Sequence, residues 1–185
     1  MAQSLNGYIA KSNGDSAWVG EADLARFREM TTKAGNVVMG ANTYEYLQTG
    51  GDFPLPDRLN VVMTREIKES DDKKTIFTNK TPGEVLDLLR DQNFETAMVI
   101  GGGKIAKSFL EAGLIDELYV TVEPILFGRG IPFIESGEFM EEGDLEIGLE
   151  FLDFTMISEN EIQLHYSVRK SQTLESDRGE ENEPM

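Results

Sequence analysis

Asp23 is the residue of this sequence best placed to do proton chemistry. It lies within residues 18–27, whose apolar spacing predicts an amphipathic helix, and Phe27 and Met30 follow it on the same helix face. A carboxylate among apolar side chains loses hydration, which is a common way to prepare a proton donor or a partner for a cationic ring. An acidic residue in the first turn of a helix also stabilises the helix N-terminus electrostatically. The segment alone leaves both interpretations open.

Three predicted strands end in small, polar or cationic residues suited to a phosphate. Gly101 to Gly103 follow one buried strand and open a helix, so a phosphate there meets backbone N–H groups with no Cβ in the way. The run fits neither the P-loop pattern nor G-x-G-x-x-G. Ligands of open α/β sheets bind outside the carboxyl ends of the strands, so one elongated phosphate-bearing cofactor would explain all three strand ends. Three unrelated turns are the alternative. The other two sets are Gly40, Asn42 and Thr43 after one strand, and Thr64 and Arg65 after another.

Arg58 is a candidate for binding an anionic group. It closes the run Pro-Leu-Pro-Asp-Arg at residues 54–58, just before a predicted strand. A guanidinium can hold a ligand carboxylate through two parallel hydrogen bonds. A solvated loop arginine is the alternative interpretation.

The composition excludes several classes of site. The 185 residues contain no cysteine and a single histidine, which excludes disulfides, thiolate metal sites, a cysteine nucleophile and a multi-histidine metal site within one chain. We therefore predict no metal site. A net charge of −17 argues against nucleic acid as a partner, because binding phosphates needs a basic surface. No apolar run approaches the ~18 residues of a membrane span and no signal peptide opens the sequence, so we expect a cytoplasmic protein without a membrane partner.

Strand and helix patterns alternate along residues 1–169, which we predict to form a single domain, whereas the polar, acidic residues 170–185 are expected to be a disordered tail. Strands with little alternation, linked by helices, indicate an α/β fold with a largely parallel sheet covered on both faces. The last two strands indicate an antiparallel hairpin. The predicted helices span residues 21–34, 42–48, 81–92 and 103–112, and the predicted strands span 36–40, 59–63, 96–100, 116–123, 145–154 and 156–168.

Together these segments resemble the dihydrofolate reductase superfamily, which includes the reductase domain of riboflavin biosynthesis. Residues 18–27 closely resemble the substrate-binding helix of bacterial dihydrofolate reductases. Residues 54–60 look like the segment whose arginine holds the folate α-carboxylate, and residues 99–103 look like the cofactor-phosphate loop. Residues 118–121, Leu-Tyr-Val-Thr, resemble the strand whose threonine hydrogen-bonds the catalytic carboxylate. The resemblance covers residues 1–169.

The resemblance implies a three-layer dihydrofolate reductase-like α/β fold, with helices on both faces of a mostly parallel central sheet of about eight strands and a C-terminal antiparallel hairpin. It implies NADPH-dependent reduction of 7,8-dihydrofolate to tetrahydrofolate by hydride transfer. Asp23 would bind the pterin and support protonation of N5, Trp18 would orient a water, Thr121 would fix the carboxylate, and Arg58 would hold the glutamate tail. The implied substrate contacts are Asp23, Leu24, Phe27, Leu47, Leu55, Arg58, Ile100 and Thr121. The implied cofactor contacts are Ala2, Ala10, Gly40, Asn42, Thr43, Thr64, Arg65, Ile100, Gly101, Gly102, Gly103, Lys104 and Ile105.

Some segments depart from the dihydrofolate reductase pattern. Ala41 stands where the family usually has an arginine, and we expect Arg65 and Lys104 to compensate in binding NADPH, with NADH use left open. Residues 113–132 look more like the riboflavin-type branch, whose members reduce a ribosylaminopyrimidine phosphate. The alternatives are therefore a riboflavin-pathway or related side-branch reductase, and a non-catalytic nucleotide-binding protein. We expect a small-molecule folate or pyrimidine substrate, a monomer or homodimer, and a flexible cover over the nicotinamide at residues 9–17.

Overall fold

The computed structural model describes residues 1–51, 55–70, 72–134 and 146–169, so the predicted acidic tail lies outside the described residues. The helices are α1 (Glu21–Ala34), α2 (Ala41–Gly50), α3 (Pro82–Asp91) and α4 (Gly103–Glu111). The strands are β1 (Ala2–Ser4), β2 (Tyr8–Lys11), β3 (Asn36–Gly40), β4 (Leu59–Met63), β5 (Thr75–Thr78), β6 (Val99–Gly101), β7 (Glu117–Glu123), β8 (Gly130–Pro132), β9 (Leu149–Met156) and β10 (Ile162–Val168). No helix in these ranges is long and apolar enough to cross a membrane.

A four-stranded sheet in the order β5-β4-β3-β6 is parallel throughout. Its central strand β3 is buried along its whole length, as its Val-Val-Met sequence requires, because helices cover both faces of such a sheet. The strands end together, with Gly40 of β3 paired with Met63 of β4 and Met39 paired with Gly101 of β6. Their carboxyl ends therefore form one edge, from which α2 and α4 begin.

The second sheet is mixed and has the order β1-β7-β10-β9. β1 runs parallel to β7 with Ala2 opposite Thr121, and the predicted C-terminal hairpin of β9 and β10 is antiparallel, as expected. β2 and β8 form a separate two-stranded antiparallel pair. The α/β prediction is confirmed, but the expectation of a single, mostly parallel sheet of about eight strands is wrong, because pairing stops between β6 and β1. β6 has only three residues and closes at Gly101 with φ 119°, where the side chain of Met1 lies against it instead of a strand ladder.

Local sequence signals set the helix limits. α1 begins after Gly20 and ends at Gly35, whose left-handed φ of 70° lets its N–H bond back to the last turn. α3 begins at a capping box in which Thr81 and Glu84 bond each other's backbone N–H groups. The strands β2, β5 and β8 were not predicted, since they have three or four residues each and little apolar pattern. β2 occupies part of the segment expected to be a flexible cover.

Two apolar clusters fill the space on either side of the parallel sheet. One contains Val38, Val61, Val85, Leu89 and Phe109, all at most 2% exposed, and it packs α3 and α4 against the strands. The other lies on the opposite face of β3 and β4 and packs α1 and α2 against it. The second cluster borders the candidate site.

Candidate active site

Four residues predicted to line a substrate pocket lie together in the second cluster. Leu55 is buried there, and Phe27, Leu47 and Ile100 pack against the same cluster from α1, α2 and β6. Leu24, the fifth predicted apolar contact, is 39% exposed and lies outside this packed group. The structure thus brings one wall of the predicted pocket together from four separate segments.

Asp23 lies in the first turn of α1 and is only 9% exposed. Its carboxylate accepts no hydrogen bond from any residue that the structure describes, although the Met1 ammonium and the Glu123 carboxyl act on it through space. Buried polar groups are normally hydrogen-bonded, because leaving one unpaired costs free energy. The Asp23 oxygens are not fully enclosed, since Asn60 Oδ1 is the one fully buried side-chain N or O atom without a partner among the described residues. A largely buried carboxylate that has no donor and can still be reached is suited to a ligand that presents N–H groups, which favours the functional interpretation of Asp23 over a purely capping one.

Thr121, on β7, is fully buried, and its hydroxyl is oriented by a chain of hydrogen bonds. Gln163 of β10 donates from Nε2 to Thr121 Oγ1 at 3.3 Å, and Arg26 of α1 donates from Nε to Gln163 Oε1 at 3.1 Å. Since a guanidinium only donates, the amide oxygen must face Arg26 and the amide nitrogen must face Thr121. Thr121 therefore accepts from Gln163, which leaves its hydroxyl hydrogen available to a ligand or to another acceptor. The bond from Thr121 to Asp23 that the resemblance implies is not among the hydrogen bonds of the described residues, and it stays a prediction.

Sequence reasoning missed Gln163 and Arg26. Gln163 is 5% exposed, so it is a buried polar residue in a strand, and Arg26 lies one helical turn after Asp23. Neither position carries a motif by itself. Their connection depends on β10 lying beside β7, a contact between segments 42 residues apart.

Replacing Gln163 with Leu should lower the turnover number about 10-fold, because loss of one buried hydrogen bond leaves the Thr121 hydroxyl without a fixed orientation towards the substrate and Asp23. Steady-state kinetics at saturating cofactor would measure the change. Gln163→Glu is the informative companion, since an ionised glutamate keeps the bond from Arg26 but cannot donate to Thr121. Unchanged turnover in both variants would show that the hydrogen bonds from Arg26 through Gln163 to Thr121 do not contribute to catalysis.

Trp18 lies just before α1, and its side chain is held by the loop around it. The indole Nε1 donates to the carbonyl of Asp15 at 3.3 Å, and the ring meets the edge of Phe127 at a centroid distance of 5.2 Å. Its place three residues before the start of α1 is shown, whereas its predicted role in orienting a water stays a prediction.

Arg58 is 6% exposed, so the alternative of a solvated loop arginine is wrong. It donates from Nε to the carbonyl of Pro56 at 3.0 Å and from Nη1 to the hydroxyl of Thr31 on α1. Burial lowers the pKa of Arg58 below its usual value, Asp57 opposes this change and the neighbouring Arg28 adds to it. Arg28 and Arg58 are close enough to repel each other, so together they form a local positive charge on a strongly acidic protein. This positive charge can bind an anionic group of a ligand.

The predicted cofactor residues gather at the carboxyl edge of the parallel sheet. Gly40 immediately precedes α2 and Gly102 immediately precedes α4, and neither helix start is capped by a side chain. A Cβ placed on Gly102 would lie 3.5 Å from Thr43 Oγ1, so the start of α4 faces the start of α2 across a narrow gap. A phosphate in this gap would receive backbone N–H groups from two helix N-termini. The residues present therefore fit the phosphates of a dinucleotide.

The remaining predicted contacts are more scattered. Arg65 and Asn42 are exposed at the same edge, and Thr64 follows β4 with its N–H bonded to the Thr78 carbonyl. Lys104 and Ile105 belong to the first turn of α4, and Ile105 packs closely against Gly40. Ala2 pairs with Thr121 and Ala10 with Ile131, which places them on β1 and β2. That these positions contact one cofactor stays a prediction.

Comparisons with known proteins agree with this arrangement. The RibD C-terminal domain family matches residues 1–162. A dihydrofolate reductase of Haemophilus influenzae is 35% identical over 121 residues, covering 65% of this chain and 68% of that protein. The uncharacterized protein YwjB of Bacillus subtilis is 28% identical over 171 residues, covering 90% of this chain and 94% of that protein.

Solved structures show the same fold. A protein of Shewanella sp. PV-4 named for riboflavin biosynthesis superposes with a TM-score of 0.71 at 24% identity, covering 91% of this chain and 96% of that chain. Acinetobacter baumannii RibD superposes with a TM-score of 0.72 at 18% identity, covering 91% of this chain and 56% of that longer chain. The fold is therefore dihydrofolate reductase-like. By its match over residues 1–162, the chain belongs to the RibD C-terminal domain family, within the dihydrofolate reductase superfamily.

Proposed function

We propose that this protein is a pyridine-nucleotide-dependent reductase of the riboflavin-pathway type, acting on a phosphorylated aminopyrimidine. The observation that carries the proposal is the buried Asp23 carboxylate, which accepts no hydrogen bond from the described residues and can read the N–H edge of an aminopyrimidine ring. The family match and the riboflavin-biosynthesis name of a structural relative support this substrate class over a folate. The uncapped starts of α2 and α4 support a dinucleotide cofactor, with NADPH the first candidate and NADH the second.

The chain's own groups would orient the reactants and hold charge. The bound cofactor would supply the hydride. The reduction would add the hydride to the carbon of a C=N bond of the substrate and a proton to its nitrogen. Asp23 would accept N–H bonds from the ring edge and stabilise the positive charge of the protonated C=N group, in a site where low hydration strengthens the attraction. The Thr121 hydroxyl, oriented by Gln163, would keep the carboxylate in place. Arg58 and Arg28 would hold the anionic end of the substrate, so that the reacting atoms stay aligned.

Dihydrofolate is the second candidate substrate. The 35% identity with the Haemophilus influenzae dihydrofolate reductase favours it, and so does the burial of Arg58 beside Thr31, which fits a carboxylate as well as a phosphate. Purified protein should be assayed with NADPH and each substrate in turn. Turnover of the ribosylaminopyrimidine phosphate without turnover of dihydrofolate would establish the proposal. Turnover of dihydrofolate alone would identify the protein as a dihydrofolate reductase. NADPH binding with neither activity would favour a non-catalytic nucleotide-binding protein.

Arg28→Gln should raise the KM for the anionic substrate about 3- to 10-fold and leave the turnover number nearly unchanged. The side chain is exposed and acts on Arg58 through charge, so its removal weakens attraction to the anion without disturbing Asp23. Steady-state kinetics at low and high salt would measure the effect, which should shrink as salt screens the charge. Lys33→Gln, at the far end of the same helix, is the matched control. An unchanged KM at low salt would remove Arg28 from the substrate site.

A further inference from the structure

Two buried carboxyl groups lie side by side at the start of α1 and belong to none of the predicted roles. Glu123 is 3% exposed at the end of β7, and Glu161 is 8% exposed just before β10. Ile162 pairs with Val122 in the antiparallel register, which places Glu161 directly opposite Glu123. Both carboxyl groups reach the same residue, Gly20, just before α1, and each acts electrostatically on the other there. Two carboxyl groups in such contact hold a proton between them, because a hydrogen bond needs a donor that two ionised carboxylates lack.

Both carboxyl groups contact Gly20, the residue from which α1 begins. The N–H of Gly20 donates to Glu123 Oε1 at 3.1 Å, and no side chain of the helix itself caps this end. Glu161 occupies the place of the missing side chain, since a Cβ on Gly20 would lie 1.7 Å from Glu161 Oε1. Glu123 therefore accepts from the N–H of the residue before α1, as the glutamate of a capping box does, and the pair joins β7 and β10 to the helix that carries Asp23.

The charges around the pair are acidic. Asp23 faces it from α1, and the Met1 ammonium acts on Asp23 from the start of β1. Ser4 of β1, opposite Glu123 in register, is neutral, and its hydroxyl donates to Asn6. Among the described residues no three acidic or histidine side chains are grouped closely enough to hold a metal ion. The Met1 ammonium acts on Asp23, so a proton shared between Glu123 and Glu161 would relieve the repulsion within the pair itself.

We propose that Glu123 and Glu161 form a proton-sharing pair that caps α1 and acts as a positioning device for Asp23, so that the start of α1 responds to pH. Burial raises the pKa of Glu123 to about 7, the bond from Gly20 opposes this rise, and Glu161 and Asp23 add to it. As pH rises through this value the proton leaves, the two carboxylates repel each other, and the contact of Glu161 with Gly20 weakens. The positioning of Asp23 for catalysis rests on the proposed function, whereas the proton-sharing pair does not.

The fluorescence of Trp18 provides a signal for a change at the start of α1. Trp18 is the only tryptophan of the chain and lies two residues before Gly20, so the intrinsic fluorescence of the protein comes from the start of α1. We expect a fluorescence transition of the wild-type protein near neutral pH. Glu123→Gln should abolish it, because glutamine can accept from Gly20 and donate to Glu161 at every pH. Glu161→Gln should abolish it too, and serves as the second variant if the first does not fold.

Two controls isolate the pair. Glu159→Gln makes the same charge change on an exposed residue two positions from Glu161, and His165→Gln removes the single histidine; both should keep the transition. In an active enzyme, the fall of turnover on the alkaline side should move to higher pH in Glu123→Gln. If the transition persists in both Glu123→Gln and Glu161→Gln, or disappears in His165→Gln, the proposal of a proton-sharing pair is wrong. If the protein turns over neither substrate but the transition is lost only in the Glu123 and Glu161 variants, the proton-sharing pair is supported and the proposed function is not.

Discussion

Replacement of Asp23 by Asn is expected to lower the turnover number about 100- to 1,000-fold while the fold and the affinity for cofactor stay unchanged. The amide has nearly the same shape as the carboxylate, so packing in the first turn of α1 is preserved. It carries no negative charge, so it cannot stabilise the cationic ring, and its amide nitrogen would face ring N–H groups donor to donor. The loss should appear in the turnover number more than in the KM, because the charge develops as the reaction proceeds.

Reduced-nicotinamide oxidation, followed with the substrate that the wild-type protein turns over, would measure this effect. Glu21→Gln is the matched control, since it removes the same charge from the same helical turn at an exposed position. It should retain turnover within about 2-fold, because an exposed charge is screened by solvent. If the Asp23→Asn protein is folded and fully active, Asp23 has no catalytic role and only stabilises the N-terminus of α1.

Regular local patterns allowed much of the fold to be predicted. The limits of α1, β3 and β4 agree with the sequence, since an apolar pattern marks all three and a terminal glycine marks α1 and β3. β6 and β9 begin later than predicted, at Val99 and Leu149. The start predicted for β9, residue 145, lies outside the described residues.

Contacts between distant segments could not be predicted from one sequence. The division of the strands into separate sheets depends on whether β6 pairs with β1, which no local pattern decides. Glu123 and Glu161 meet only because β7 and β10 are neighbours, and Gln163 reaches Thr121 for the same reason. Each of these residues looks like an ordinary polar strand residue in the sequence. Asp23 and Arg58 were found because a recognisable segment surrounds each of them.

The predicted phosphate site at the starts of α2 and α4 can be tested with a single substitution of Gly102, because this change should lower the affinity for NADPH without lowering the stability of the fold. Gly102→Ala should weaken NADPH binding about 10- to 100-fold, the equivalent of one charge-assisted hydrogen bond at ~1.5–3 kcal/mol. The new methyl group would stand in the gap between the starts of α2 and α4, where a phosphate would approach. The protein itself tolerates it, since the added Cβ lies 3.5 Å from Thr43 Oγ1, an ordinary contact, and Gly102 has φ −74°.

Isothermal titration with NADPH and urea unfolding, run on the same samples, would separate the two effects. Gly83→Ala is the matched control, because this glycine also lies at the start of a helix, has open space around its Cβ, and belongs to α3, whose N-terminus is already capped by Thr81. It should bind NADPH as the wild-type protein does. If Gly102→Ala keeps both its stability and its affinity, the two facing helix starts are structural turns, and the cofactor phosphates must be held elsewhere on the chain.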